Sequence, residues 1–150
     1  MDYDSVSATE FGGSLHGIGL NILVTDVAKT AAFLRAVFAM QVHRASADFA
    51  IVQYNNNVFQ LHADHTYHNN KLLHHLPEDG VRGRGLEIRV YNTDPDEAAN
   101  RLSQHGTEAL LLASPENKPH GLRECIILCR DGYAWVPSRP LSADEIKALA

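Results

Sequence analysis

The sequence predicts an α+β protein built from two copies of one βαβββ unit, and three observations carry that prediction. The segment GLNILV at residues 19–24 returns as GLEIRV at residues 85–90, and both alternate as strands do. An aspartate that can cap a helix follows each segment, Asp26 in the first copy and Asp94 in the second. Three strand-like segments then follow each predicted helix, so the same order of elements occurs twice.

The two helices are predicted from the spacing of their apolar residues. The first covers residues 27–40 and the second residues 95–105, and in both the apolar side chains recur three or four positions apart. Pro95 and Gly106 are typical of a helix start and a helix end. Each helix can therefore cover the aliphatic face of the preceding strand. Those faces comprise Leu20, Ile22 and Val24 in the first copy and Leu86, Ile88 and Val90 in the second.

The remaining strands are predicted at residues 40–45, 49–54, 58–63, 108–113, 122–129 and 133–137. The asparagines at 55–57 suit a tight hairpin, and Asp131 with Gly132 marks another turn. Residues 113–124 contain two prolines and a glycine, which predicts an irregular loop.

This pattern divides the chain into five parts. They are a polar N-terminal arm at 1–15, the first unit at 16–64, a linker at 65–84, the second unit at 85–140 and a C-terminal helix at 141–150. Ser142 and Glu145 predict a capping box for that last helix. The stretch HADHTYHNNKLLHH begins at the end of the preceding strand with His62 and continues into the linker. The linker histidines, His65, His68, His74 and His75, are read as solvated loop residues, with a cover over a ligand or a surface metal site left open.

Composition limits the partners of this chain. A net charge of −5 and a pI near 5.9 give no attraction for nucleic acid or an anionic membrane. The N-terminus is acidic and polar, unlike a secretory signal. Cys125 and Cys129, four residues apart on one predicted strand, are too far apart to bridge. We therefore expect a cytoplasmic protein.

The duplicated unit resembles the vicinal oxygen chelate superfamily, which includes glyoxalase I, extradiol dioxygenases and bleomycin-resistance proteins. The resemblance covers residues 16–140 and rests on LVTDVAKTAAFLRAVFAM, GLEIRVYN, DEAANRLSQHG and LCRDGYAWV. The chain departs from the family's usual Phe–Tyr pair at Phe33–Leu34, and from Asp-Pro-Asp-Gly at residues 129–132. The resemblance implies a paired, cup-shaped mixed sheet with helices outside, a ligand inside the cup, and a homodimer.

The resemblance also assigns positions to a metal. Metal-dependent members place their ligands where this chain has Gly19, Gln60, Gly85 and Val136, which cannot hold a divalent ion. We therefore expect no metal, and the two glycines then leave room in the cup.

A displaced site is the alternative to a metal-free cup. A shift of two residues brings donors from Asn21, His62 and Glu87, with Ala134 at the fourth position. Such a site would hold iron, manganese, nickel or zinc, with His62 and Glu87 as the main ligands.

Because side chains alternate along a strand, several polar side chains are expected on the sheet face opposite the helices. Arg89 is expected to fix an anionic or carbonyl group of a ligand, unless it only pairs with Glu87. Ile127 and Val136 are expected to line the same space, with Trp135 in the core. The predicted ligand-binding residues are Asn21, Gln60, His62, Glu87, Arg89 and Arg123.

Three functions fit these residues. The first, which we expect, is a metal-free protein of the bleomycin-resistance type that binds a small organic molecule. The second is a metal-dependent lyase or dioxygenase that uses the displaced site. The third is a metal-free enzyme with His62 or Glu87 as the base, and no residue selects its reaction.

Overall fold

A computed structural model describes residues 1–76, 78 and 81–149 of the chain. The chain divides into two compact units. The first comprises Met1–Arg35 and Ala39–Leu76, and the second comprises Ala36–Phe38 and Pro77–Ala150. Pro77 and Gly80 of the predicted linker lie outside the described residues, and so does Ala150 of the predicted last helix.

The elements follow the predicted order. Up to residue 76 they are α1 (Ala8–Ser14), β1 (Asn21–Val24), α2 (Val27–Phe38), β2 (Gln41–His43), β3 (Phe49–Tyr54) and β4 (Asn57–Ala63), then two short 3-10 helices, Asp64–Tyr67 and Lys71–His75. Further along the chain they are β5 (Glu87–Tyr91), α3 (Pro95–His105), β6 (Leu110–Asn117), β7 (Leu122–Leu128), β8 (Ala134–Pro140) and α4 (Ala143–Ala148).

Each unit contains an open four-stranded mixed sheet of the same topology. The strand order is β1-β4-β3-β2 in the first and β5-β8-β7-β6 in the second. The first strand of each sheet runs parallel to the last, and the remaining pairs are antiparallel. The α+β fold and its duplicated βαβββ unit are thereby confirmed.

Local signals in the sequence explain the helix ends. Asp26 accepts a hydrogen bond from the backbone N–H of Lys29, and Asp94 accepts from the first turn of α3, so both predicted caps are confirmed. Helix α3 has the predicted bounds. Helix α2 ends at Phe38, two residues earlier than predicted, because Ala39 takes a left-handed conformation with φ 55°.

The hairpin of β3 and β4 sets the register of the first sheet. Tyr54 pairs with Asn57, which leaves a two-residue turn, and Asn55 has φ 52°. Gln60 then lies beside Ile51 on one side and Asn21 on the other, so these three side chains share a face. The predicted asparagine turn is confirmed.

The opposite face of each sheet is aliphatic and buried. The first includes Ile22, Val24 and Leu61, and the second is covered by α3, which contacts β6, β7 and β8. Leu20 and Leu86 were predicted to belong to these faces, but both are exposed. The reason is that β1 begins at Asn21 and β5 at Glu87, one residue after each leucine and two residues later than predicted.

The segment at residues 113–124 is mostly strand rather than the predicted loop. Strand β6 continues to Asn117, and register shifts on either side of Ala113 let it contain Pro115, which cannot donate to a sheet. Residues 118–121 form a tight turn in which Gly121 has φ +85°. The irregular strand therefore accommodates Pro115, while Pro119 and Gly121 lie in the turn.

The ends of the chain carry two helices with matching caps. Ser7 and Glu10 form a capping box for α1, within the predicted polar arm, and Ser142 and Glu145 form the predicted one for α4. Arg139 donates two hydrogen bonds to Glu145, which ties α4 to the end of β8. None of the helices in the described residues is long and apolar enough to cross a membrane.

Candidate ligand-binding cleft and charged cluster

A cleft of about 620 Å³ lies within the first unit. Its floor includes Asn21 of β1 and Val58 and Gln60 of β4. These three share the face of the sheet that points away from the buried aliphatic side, because paired neighbours and every second residue lie on one face. Two predicted ligand-binding residues, Asn21 and Gln60, are therefore brought together at one cavity.

The walls of the cleft come from segments outside the sheet. One wall is the chain between α1 and β1, from Leu15 to Gly19. The other includes Tyr67 and Leu72, which follow β4 in the region of the two 3-10 helices. The Asn21 side-chain amide donates to the Tyr67 hydroxyl at 3.3 Å and so joins the floor to this wall. The sequence pattern of the sheet carries no signal for these wall residues.

His62 occupies the next position on the same face of β4 but does not line the cleft. Its ring lies between two aromatic rings, with centroids 5.1 Å from Phe49 and 5.4 Å from Tyr67. Its Nε2 atom is buried and has no hydrogen-bond partner within the described part of the chain. Burial lowers the pKa of the imidazole, so His62 is neutral at neutral pH.

The second unit carries a cluster of charges on the corresponding face of its sheet. Arg89 of β5 donates to Glu124 of β7, and the Glu87 carboxylate lies 3.6 Å from the same guanidinium. The guanidinium also stands over the Tyr91 ring, 5.7 Å from its centroid. Arg89 and Glu87 thus pair, and Glu124 completes the cluster.

Glu124 is the residue of this cluster that sequence reasoning missed. It is 7% exposed and accepts from Arg89, while the His120 Nε2 atom lies 3.1 Å from its carboxylate. Burial by itself raises the pKa of Glu124, but the hydrogen bonds from Arg89 and His120 lower it below its usual value. Glu124 is therefore ionised at neutral pH.

The turn at Asp131–Gly132 decided the face of Glu124, because Cys129 pairs across it with Tyr133 and leaves three residues in the turn instead of two. Strands that leave this turn in register place Ile127 beside Trp135 and Glu124 beside Ser138. Ile127 was predicted to line the same space as Val136, which is wrong, because it packs with Trp135 on the helix-covered face. The same register puts Glu124 on the face of Arg89.

Arg123 is not brought together with the other predicted site residues. As the neighbour of Glu124 along β7 it points to the opposite face, where its guanidinium donates two hydrogen bonds to Asp96 of α3. Arg123 also donates to Asn117 at 3.0 Å. The pair lowers the pKa of Asp96 and fastens the helix to the sheet.

The positions that the family resemblance assigns to metal ligands do not fit a metal. Gly19 and Gly85 have no donor side chain, and Val136 is fully buried. A Cβ at either glycine would meet no atom within 4 Å, and Gly85 has φ +81°, which favours glycine whatever the ligand. Of the four positions only Gln60 has a donor side chain, and one carboxamide is too few ligands for a divalent ion.

The displaced set of donors, Asn21, His62 and Glu87, fits a metal no better. The ring of His62 is enclosed by Phe49 and Tyr67, and the carboxylate of Glu87 faces a guanidinium that repels a cation. Across the described ranges, no group of three or more His, Cys, Asp or Glu side chains is arranged to hold a metal ion.

Known proteins resemble this chain in their fold and not in their sequence. No family model matches the sequence, and no curated protein sequence matches it. A glyoxalase/bleomycin resistance protein/dioxygenase family enzyme from Burkholderia phytofirmans PsJN has a TM-score of 0.69 and 16% identity, covering 82% of this chain and 97% of that one. A glyoxalase-related enzyme from Fulvimarina pelagi has a TM-score of 0.66 and 16% identity, covering 87% and 95% of the two chains.

A third structure is the bleomycin resistance determinant encoded on the transposon Tn5. Its TM-score is 0.57 at 15% identity, covering 85% of this chain and 100% of that one. At such identities the likeness concerns the fold. The resemblance seen in the sequence is confirmed at that level, and the chain has the duplicated βαβββ fold of the vicinal oxygen chelate superfamily.

Proposed function

We propose that this chain binds a small organic molecule in the cleft of its first unit and does so without a bound metal. The observation that carries the proposal is the cleft itself, whose 620 Å³ falls in the range of small-molecule sites. Its lining mixes aliphatic side chains with a few polar groups, the usual composition of such a site.

Binding is favoured over catalysis by the chemistry of the cleft floor. Asn21 and Gln60 are carboxamides, which orient a ligand but do not exchange protons at neutral pH. His62, one candidate base, is enclosed between two rings and does not line the cleft. Glu87, the other candidate base, is paired with Arg89 in the second unit.

The structural neighbours do not by themselves decide between binding and catalysis. One neighbour is named as a bleomycin resistance determinant, and others are named as glyoxalase-related enzymes. The fold hosts both kinds of protein, so the choice between them rests on the side chains of this chain. Those side chains favour a binding protein.

Filling the cleft tests the proposal. Gly19 lines the cleft, and a Cβ there would meet no atom within 4 Å, so Gly19→Phe adds a ring without displacing the backbone. Gly12→Phe adds the same ring at an equally open position on α1, outside the cleft. A library of soluble organic fragments is screened by ligand-observed NMR against the native protein and both variants.

We expect several fragments to compete for one site in the native protein. Their binding should be lost in Gly19→Phe and kept in Gly12→Phe, while both variants retain the native circular dichroism spectrum. Fragments that bind Gly19→Phe as well as the native protein would refute the cleft as the site, and so would the absence of any binding fragment.

A further inference from the structure

The lining of the cleft differs in composition from the chain as a whole, in which charged residues make up 21%. None of the described residues that line it is Asp, Glu, Lys or Arg. A charged ligand entering such a cleft would lose hydration and gain no opposite charge in return. The lining therefore selects against ions of either sign.

The polar side chains of the cleft are mainly carboxamides. Asn21, Gln60 and Asn70 each present a donor and an acceptor side by side. The side-chain amide of Asn21 already donates to the Tyr67 hydroxyl. The side-chain oxygen of Asn70 accepts from the Leu72 N–H at 2.9 Å, so both side chains are held in place. Amides, lactams and ureas carry the complementary pair of groups.

Apolar side chains complete the lining and are not covered by the protein. Ile18 is 97% exposed, and Leu15 and Leu72 are also exposed large aliphatic residues. Val58 adds apolar surface on the floor. A ligand that carries a hydrophobic body would remove this surface from water.

We infer that the ligand of the cleft is an uncharged amphipathic molecule with an amide, lactam or urea group next to a hydrophobic body. This rests on the proposed function, because it specifies what the same cleft binds. The three carboxamides hold the polar group, and the exposed aliphatic side chains hold the hydrophobic body.

Three probes of one shape test the inference. Benzamide is neutral, benzoate is an anion and benzamidine is a cation, and all three join a phenyl ring to a planar group of the same size. Each is titrated into the ¹⁵N-labelled full chain at about pH 8, above the ordinary range of histidine titration. We expect benzamide to shift the amide signals of the cleft and to bind at least about tenfold more tightly than either ion.

A charge placed in the floor should change this selectivity. Gln60→Glu keeps the shape of the side chain and adds one negative charge, so benzamidine should become the preferred probe. Asn57→Asp adds the same charge on the same strand, at the exposed hairpin and outside the cleft. The Asn57→Asp protein should still prefer benzamide.

The outcomes separate the two proposals. Benzoate or benzamidine binding in the native cleft as tightly as benzamide would overturn the uncharged ligand and leave small-molecule binding intact. Unchanged selectivity in Gln60→Glu would also overturn it, since Gln60 would then not face the ligand. Failure of all three probes to shift any cleft signal would count against the cleft as a binding site and against this inference with it.

Discussion

Arg89 on β5 donates a hydrogen bond to the buried carboxylate of Glu124 on β7, across the intervening strand β8. The pair lies on the face of the second sheet that α3 does not cover, and Glu87 and His120 flank it. A carboxylate that is 7% exposed is stable as an ion only while its partners remain. The stability of the second unit therefore depends on keeping the Glu124 carboxylate paired with Arg89.

Removal of Arg89 should destabilise the protein more than removal of its exposed partner. Arg89→Met leaves Glu124 without its guanidinium, and we expect the free energy of unfolding to fall by about 2 kcal/mol. Glu87→Gln should cost less than about 1 kcal/mol, because the Glu87 side chain is 52% exposed. Urea denaturation at neutral pH measures both.

The double variant Arg89→Met, Glu124→Met is the control for a charge left unpaired. It should be more stable than Arg89→Met alone, since no ionised group stays buried. Equal losses in Arg89→Met and Glu87→Gln would show that the buried pair has no special role.

His62 should make stability depend on pH. Burial lowers its pKa from 6.5, so the unfolded chain takes up a proton near pH 6.5 while the folded protein does so only at lower pH. The free energy of unfolding should therefore decrease as the pH falls below 6.5. His62→Phe keeps an aromatic ring between Phe49 and Tyr67 and should show a smaller decrease.

The measurement is urea denaturation at about pH 8 and about pH 5.5, on either side of the ordinary histidine pKa. His75→Asn, at an exposed position in the second 3-10 helix, is the matched control and should keep the native pH dependence. If His62→Phe retained the full decrease, the effect would belong to other groups.

Gly83 is required by close packing. A Cβ at this position would lie 2.4 Å from the backbone nitrogen of Tyr133, and a backbone atom cannot rotate away. We expect Gly83→Ala to lower the free energy of unfolding by about 2 kcal/mol or more. Gly12→Ala, on α1 with no atom within 4 Å of its Cβ, should instead raise it by about 0.5–1 kcal/mol. Native stability in Gly83→Ala would contradict this close approach.

The metal-free proposal is checked by elemental analysis. Protein purified without an affinity tag, then incubated with iron, manganese, nickel or zinc and desalted, should retain none of them in stoichiometric amount. Gly19, Gly85 and Val136 have no donor side chain, and Gln60 alone is insufficient for such an ion. One equivalent that is retained by the native protein and lost in both His62→Ala and Glu87→Ala would establish the displaced metal site instead.

Local signals made most of the fold predictable. The strand alternation, the caps at Asp26 and Asp94 and the asparagine turn each depend on residues close together in the chain, and the structure has all of them. Bulges in β6 were not predictable in the same way, because they depend on how one strand meets another.

The candidate site was predictable only in part. The alternation of side chains along β1 and β4 brought Asn21 and Gln60 to one face. Glu124 was not predictable in this way, because a two-residue turn at Asp131–Gly132 would have put it on the other face, and the turn has three residues. The pairing of Arg123 with Asp96 joins residues 27 positions apart, and no local pattern reports such a contact.

The sequence by itself determined the repeated order of strands and helices and the placement of Asn21 and Gln60 on one face of the first sheet. The tertiary structure decided what stands over that face: the chain from Leu15 to Gly19 and the ring of Tyr67, 46 residues from Asn21. The physical reason is that strand and helix formation follows from neighbours in the chain. A cleft, by contrast, is formed by side chains that meet only after folding.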